Sequence, residues 1–156
     1  MKTPAILLAG LLCLGAVAPA LATSVAPKPL AEMVAEMVAE ADQIVRAKVV
    51  DVEMVDGKGR PLTDPGSRTG PGLDNEIRLV LQVQEVLRPR EGRVPATIRV
   101  PLWTMWHYTL GHIREATLGS ESLFLLKGER HAPVYPVGFQ RPLDERAQIQ
   151  SLMVAP

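Results

Sequence analysis

Cysteine is all but missing. Cys13 is the only one in the chain, and it sits inside the apolar run from Ala5 to Val17. A fold stapled by disulfides is therefore excluded, and apolar burial must hold the chain together. Surplus charge of either sign is missing too: 17 Lys and Arg face 17 Asp and Glu. That removes the basic field on which nucleic acid or anionic lipid would be gathered. Aromatic residues make up 4% of the chain, and the strand-like stretches are mostly Val, Leu, Ile, Arg and Gln, which offer little for stacking bases. No apolar run reaches the roughly 20 residues that a membrane-spanning helix needs. Nor is there a G-x-S-x-G nucleophile turn.

What is present begins with Lys2, the apolar run AILLAGLLCLGAV and the small-residue stretch APALA. This order is that of a secretory signal peptide, with cleavage expected between Ala22 and Thr23. The expected organisation is residues 1–22 as signal and 23–156 as one domain, exported to the periplasm or secreted, with no membrane anchor after cleavage. Cys13 is preceded by Leu11 and Leu12, where a lipoprotein signal carries small residues, so it is expected to leave with the signal.

In LAEMVAEMVAEA (30–41) the residues Met33, Val34, Met37, Val38 and Ala41 recur at helical spacing, which predicts an amphipathic helix with Glu32, Glu36 and Glu40 on its solvated side. QIVRAKVVDVEMV then alternates, but its apolar phase flips between Val49 and Val50, as a bulged strand would. EIRLVLQVQEVLR alternates through Ile77, Leu79, Leu81 and Val83 and shifts before Val86. Residues 56–75, rich in Gly, Pro and Asp and without periodicity, read as a long mobile hairpin loop. Their carboxylates miss calcium-loop spacing because Lys58 and Arg60 stand where ligands are needed. ATIRVPL supplies a third strand, SESLFLLKG a central buried one, and PVYPVGF and AQIQSLM two weaker strands, the former an edge because of Pro136. Val49, Val50, Leu81 and Leu125 are expected in the core. The fold class is mainly β: a small OB-like β-barrel or strongly coiled antiparallel sheet with an N-terminal helix.

With these elements in order, EADQIVRAKVVDVE, IRLVLQVQEVLR, ATIRVP and LGSESLFLLKG resemble exported bacterial domains of uncharacterised function. More distantly they resemble the OB-like barrel of netrin-type and metalloproteinase-inhibitor modules. The resemblance spans Glu40 to about Phe139 and implies architecture. Inhibitor modules of that kind use an N-terminal cysteine and disulfides, both lacking after Ala22, so their inhibitory chemistry does not carry over.

One segment stands apart. WTMWHYTLGH, Trp103 to His112, holds both tryptophans, one of two tyrosines and two of three histidines. Trp103, Trp106 and Tyr108 are candidate contacts for a ligand or partner. Trp103, Trp106, Leu110 and Ile113 are also spaced as one helical face, which would cap the end of a barrel. Met105 and His107, two apart, with His112 beyond Gly111, form a thioether and imidazole set that copper accepts. His131 lies in a polar turn and is expected to face solvent. Ser120 and Ser122 beside Glu121 lack the context of a hydrolase nucleophile. The function expected is a non-catalytic binding or accessory module of the cell envelope, without cofactor, whose partner is an envelope protein or small ligand and neither nucleic acid nor membrane. Periplasmic copper or metal binding through Met105, His107 and His112 is the alternative, and a hydrolase with unidentified residues the second.

Overall fold

The alternation in QIVRAKVVDVEMV produces the long strand β1 (Gln43–Val55), and all other strands are arranged around it. The computed structural model describes residues 30–89 and 91–154; residues 1–22, on which the export expectation rests, lie outside them. β1 pairs on one side with β2 (Glu76–Arg88), which pairs in turn with β3 (Thr97–Pro101). On its other side β1 pairs with β4 (Glu121–Lys127). Two short strands, β5 (Ala132–Pro133) and β6 (Gln140–Arg141), both pair with β4. Every pairing is antiparallel, the order is β3-β2-β1-β4-β5, and the sheet curls into a half-barrel whose outer strands β3 and β5 come into contact. The protein is mainly β, as its alternating stretches imply.

The curl comes from bulges. Between the pairs Val49–Leu81 and Asp51–Val80, β1 carries one extra residue, Val50; β2 carries extra residues at Gln84 and Leu87. Each surplus residue bends its strand and increases the local twist. The phase flip in β1 is thus a bulge, but Val50 is not in the core. It is 42% exposed, because the surplus residue of a bulge has no partner opposite and here turns outward, leaving Val49 and Val52 both buried. Val49, Leu81 and Leu125 are fully buried.

β4 is apolar without alternation, and Leu123, Phe124, Leu125 and Leu126 are all fully buried. Helix α1 (Leu30–Glu40) buries Val34, Met37 and Val38 and packs on β4 and on a C-terminal helix, α3 (Arg146–Val154). The AQIQSLM stretch therefore forms a helix, where alternation suggested a strand. Ile149 is fully buried and Leu152 and Met153 pack on the core, a spacing of three and four that only a helix can bring to one side. PVYPVGF also departs from expectation: only Ala132 and Pro133 pair, since prolines at 133 and 136 remove the donors a longer ladder requires. Arg88 of β2 finishes α1, donating from Nη1 to the carbonyls of Val38 and Ala41. Those carbonyls have no partner within the helix, and the guanidinium also meets the negative end of the helix dipole.

Residues 56–75 are ordered by specific bonds. Asp56 accepts from the backbone N–H groups of Lys58 and Arg60 and from the Arg60 guanidinium, and Leu62 N–H returns to Met54 O at 2.8 Å. These contacts hold the Asp56 carboxyl below its ordinary value, the backbone N–H of Arg60 foremost. The run lacks periodicity because its partner is another loop, whose bonds follow no repeating face.

Candidate functional site

That partner is the aromatic segment. Thr69 is buried and joins the two: its N–H donates to Tyr108 O at 2.9 Å, its Oγ1 donates to Trp106 O at 2.7 Å, and Tyr108 N–H donates to that Oγ1 at 3.2 Å. Leu110 N–H bonds Ser67 O and Gly111 N–H bonds Pro65 O, both at 2.9 Å. Gly70 has φ +151°, and a Cβ there would lie 2.5 Å from His107 Nδ1, so only glycine lets the imidazole approach. The loop and the segment form one plate at the end of the half-barrel.

The single helical face expected across Trp103, Trp106, Leu110 and Ile113 does not form. Residues before Thr109 make a turn, and α2 (Leu110–Thr117) starts only at Leu110, capped by Thr109 Oγ1. Leu110 and Ile113 are buried through that helix, while Trp103, Trp106 and Tyr108 stack edge to face, with centroids 5.4 Å and 5.8 Å apart. Trp106 and Tyr108 are half-buried, and burial pushes the Tyr108 phenol up. Trp103 is 46% exposed. Met105 and His107 are exposed on the same turn, and His112 is exposed on α2. No hydrogen bond links these three side chains, and among the described residues no group of three or more His, Cys, Asp or Glu could hold a metal ion.

Trp103 reaches a groove along the edge of β3. Two joined depressions of about 330 and 270 Å³ share Glu76, Pro101 and Arg130. The larger is charged, lined by Arg78, Thr97, Ile98, Arg99, Glu129 and His131 besides the shared residues. The smaller is mainly apolar, with Leu102, Trp103, Thr104, Ala132, Pro133 and Pro136. β3 supplies one wall and the turn from β4 to β5 the other. That turn is pinned by Gly128 N–H donating to Asp42 Oδ2 at 2.9 Å. His131, at φ +51°, places Nδ1 2.7 Å from Oε1 of the buried Gln43. It is half-buried in this wall, where a solvent-facing side chain was expected.

Glu76 spans the junction. Arg78 Nε donates to its Oε1 and Arg130 Nη2 to its Oε2, each at 2.6 Å. Burial raises its pKa, but the two guanidinium bonds and their charges outweigh burial and hold the carboxyl below its ordinary value. Arg99 donates through Nε and Nη2 to Glu53 at 2.9 and 3.1 Å, and that pairing raises the guanidinium pKa further. Three arginines and the carboxylates of Glu76 and Glu129 thus line one end of the groove, beside an apolar end with an exposed tryptophan.

Of the six residues singled out by sequence, the structure brings Trp103 to the groove, stacks Trp106 and Tyr108 behind it, and leaves Met105, His107 and His112 on the plate. Glu76, Arg78, Arg99 and Arg130 escaped notice. The first three occupy the polar phase of β2 and β3, indistinguishable along the chain from any solvated strand face. Arg130 joins them only through the curl. No model of a known protein family, and no curated protein sequence, matches the chain.

Proposed function

We propose that the protein is an exported, non-catalytic binding module of the cell envelope, and that the groove between β3 and the β4–β5 turn is its ligand site. The single observation carrying this reading is the union at Glu76, Pro101 and Arg130 of an arginine-lined depression with an apolar one that exposes Trp103. A concave site with a few converging polar groups and one large ring suits recognition. Glu76 suits it too: its two guanidinium partners keep it ionised, which fits a fixed anion better than a proton shuttle. The signal-like residues 1–22 support export, and the resemblance to netrin-type barrels supports a module that binds through its surface.

The test is an amide-resolved NMR titration of the mature chain with capped acidic peptides and with neutral oligosaccharides. One class should shift resonances of Arg78, Arg99, Trp103 and Arg130, and Trp103→Ala should weaken that binding about tenfold, the loss of a central aromatic anchor. Shifts clustered on α1 and α3, or binding indifferent to Trp103→Ala, would overturn the assignment. Mass spectrometry of the exported protein should find Thr23 first, and a retained 1–22 segment would remove the export part.

A further inference from the structure

Resting on that reading of the groove, we propose that its ligand is a neutral oligosaccharide whose rings carry equatorial hydroxyls, with one ring lying on Trp103 and two of its adjacent hydroxyls bound by Glu76 and Arg130. Charge supplies the first argument. Around the polar end Arg78, Arg99 and Arg130 stand beside Glu53, Glu76 and Glu129, three of each sign. The groove therefore has no surplus charge with which to select an ion, while its donors and acceptors suit an uncharged polar ligand. The pairing of these groups is the second argument. Arg78 Nε stands 2.6 Å from Glu76 Oε1, and Arg130 Nη2 stands 2.6 Å from Oε2. Each acceptor oxygen thus has a donor nitrogen at its side. Two adjacent hydroxyls match such a pair: one donates to the carboxylate, and its neighbour accepts from the guanidinium. Arg130 reaches Glu76 through Nη2 alone, and a guanidinium carries five N–H donors.

The apolar end is the third argument. Pro101, Pro133 and Pro136 have no N–H to offer, and that of Leu102 is spent on Ile77 O. Trp103 lies exposed among them, its ring held by the edge-to-face contact with Trp106. This end is therefore apolar surface with few polar side-chain groups, chiefly the Glu76 carboxylate, the Arg130 guanidinium and the Thr104 hydroxyl. A sugar ring with equatorial hydroxyls is divided in the same way. C–H bonds cover its face, which suits the electron-rich face of an aromatic ring, and hydroxyls line its rim. A peptide strand would find no row of backbone donors here, and a wholly apolar ligand would strip water from Glu76 and Arg130 without replacing it. The two depressions meet at Glu76, so a second ring continues into the larger one and the ligand is a chain.

The probe is cellotetraose, a neutral chain of glucose rings, added to the whole mature protein. It should shift the indole N–H resonance of Trp103 and the amides of Glu76 and Arg130, and saturating the aromatic protons should transfer to the sugar C–H protons. Trp103→Ala should remove that transfer and weaken binding about tenfold, and Trp103→Phe should restore part of it. Added salt should leave the affinity unchanged, since no net charge is neutralised. Removing the 2-hydroxyls of the probe leaves the protein unaltered and should weaken binding about tenfold. That penalty should shrink in Arg130→Ala, where one partner of the hydroxyl pair is already gone. If the deoxygenated chain binds equally well, or if a capped acidic peptide shifts the groove resonances and cellotetraose does not, the sugar is overturned while groove binding stands. If neither probe shifts groove resonances, or if Trp103→Ala leaves binding unchanged, both readings fall.

Discussion

The two ends of this molecule are held together by different physics. Around β1 and β4 cohesion is apolar: Ile44, Val45, Ala47, Val49 and Leu123 through Leu126 are fully buried, and α1 and α3 close over them. At the plate, residues 65–70 meet residues 106–111 mainly through main-chain bonds and one threonine hydroxyl. Apolar burial tolerates exchange among residues of similar volume, while a hydrogen-bonded seam depends on particular atoms. The groove lies beside the second kind of structure, so its geometry is set by few contacts, each of them individually costly to lose.

The sharpest way to break that contrast is at its apolar pole. Leu125→Ala should cost roughly 2 to 5 kcal/mol in chemical denaturation, from lost transfer energy and the cavity left behind. Val50→Thr, one bulge away from the same sheet, should be nearly neutral, because that side chain faces solvent. A Val50 effect as large as that of Leu125 would mean the bulge is placed wrongly. At the plate, Thr69→Val keeps the shape but removes the hydroxyl that serves Trp106 O and Tyr108 N–H. A loss of about 1 to 3 kcal/mol is expected, with hydrogen exchange accelerating at residues 106–111 before any change in β4. Uniform acceleration across the sheet would merge the two regions into one cooperative unit.

A smaller loss than at the plate is expected at Glu76. Its folded pKa lies below the ordinary value of 4.5, so its contribution is fully present above pH 4.5 and disappears as pH falls through the lowered folded value. Glu76→Gln should therefore cost a few tenths to about 1 kcal/mol at neutral pH, the scale of screened surface pairs. The gap between the variant and the natural chain should close in the acid range below 4.5. A gap that widens on acidification would reverse the sign and discredit the clamp.

Residues whose role is set by near neighbours were legible in the chain. The phase flip at Val49 and Val50 announced the bulge, and the unbroken LFLL announced a strand covered on both faces. Residues whose role depends on distant partners were not. Thr69 is one polar residue in an aperiodic loop until Tyr108 is placed beside it. Arg130 in a turn gains meaning only when curling brings it to Glu76. The tail misled for another reason: in AQIQSLM, alternation through Ala147, Ile149 and Ser151 competes with the helical set Ile149, Leu152 and Met153, and packing on α1 decides between them. Trp103 was picked out by rarity of composition and is in the groove, whereas the arginines that complete the groove are common residues in ordinary positions.

The termination of α1 by Arg88 has a kinetic consequence. The bonds from Arg88 to Val38 O and Ala41 O span 50 and 47 residues of chain. A helix of 11 residues is marginal in water by itself, and this one has no basic residue in its own last turn. During synthesis the helix end therefore waits until β1 and β2 have both emerged and paired, and the entropy of closing that loop is spent before the cap forms. Helix and hairpin should consequently gain protection in the same refolding phase, with the N-terminal helix consolidating as a late recipient of order from the sheet and not as its seed.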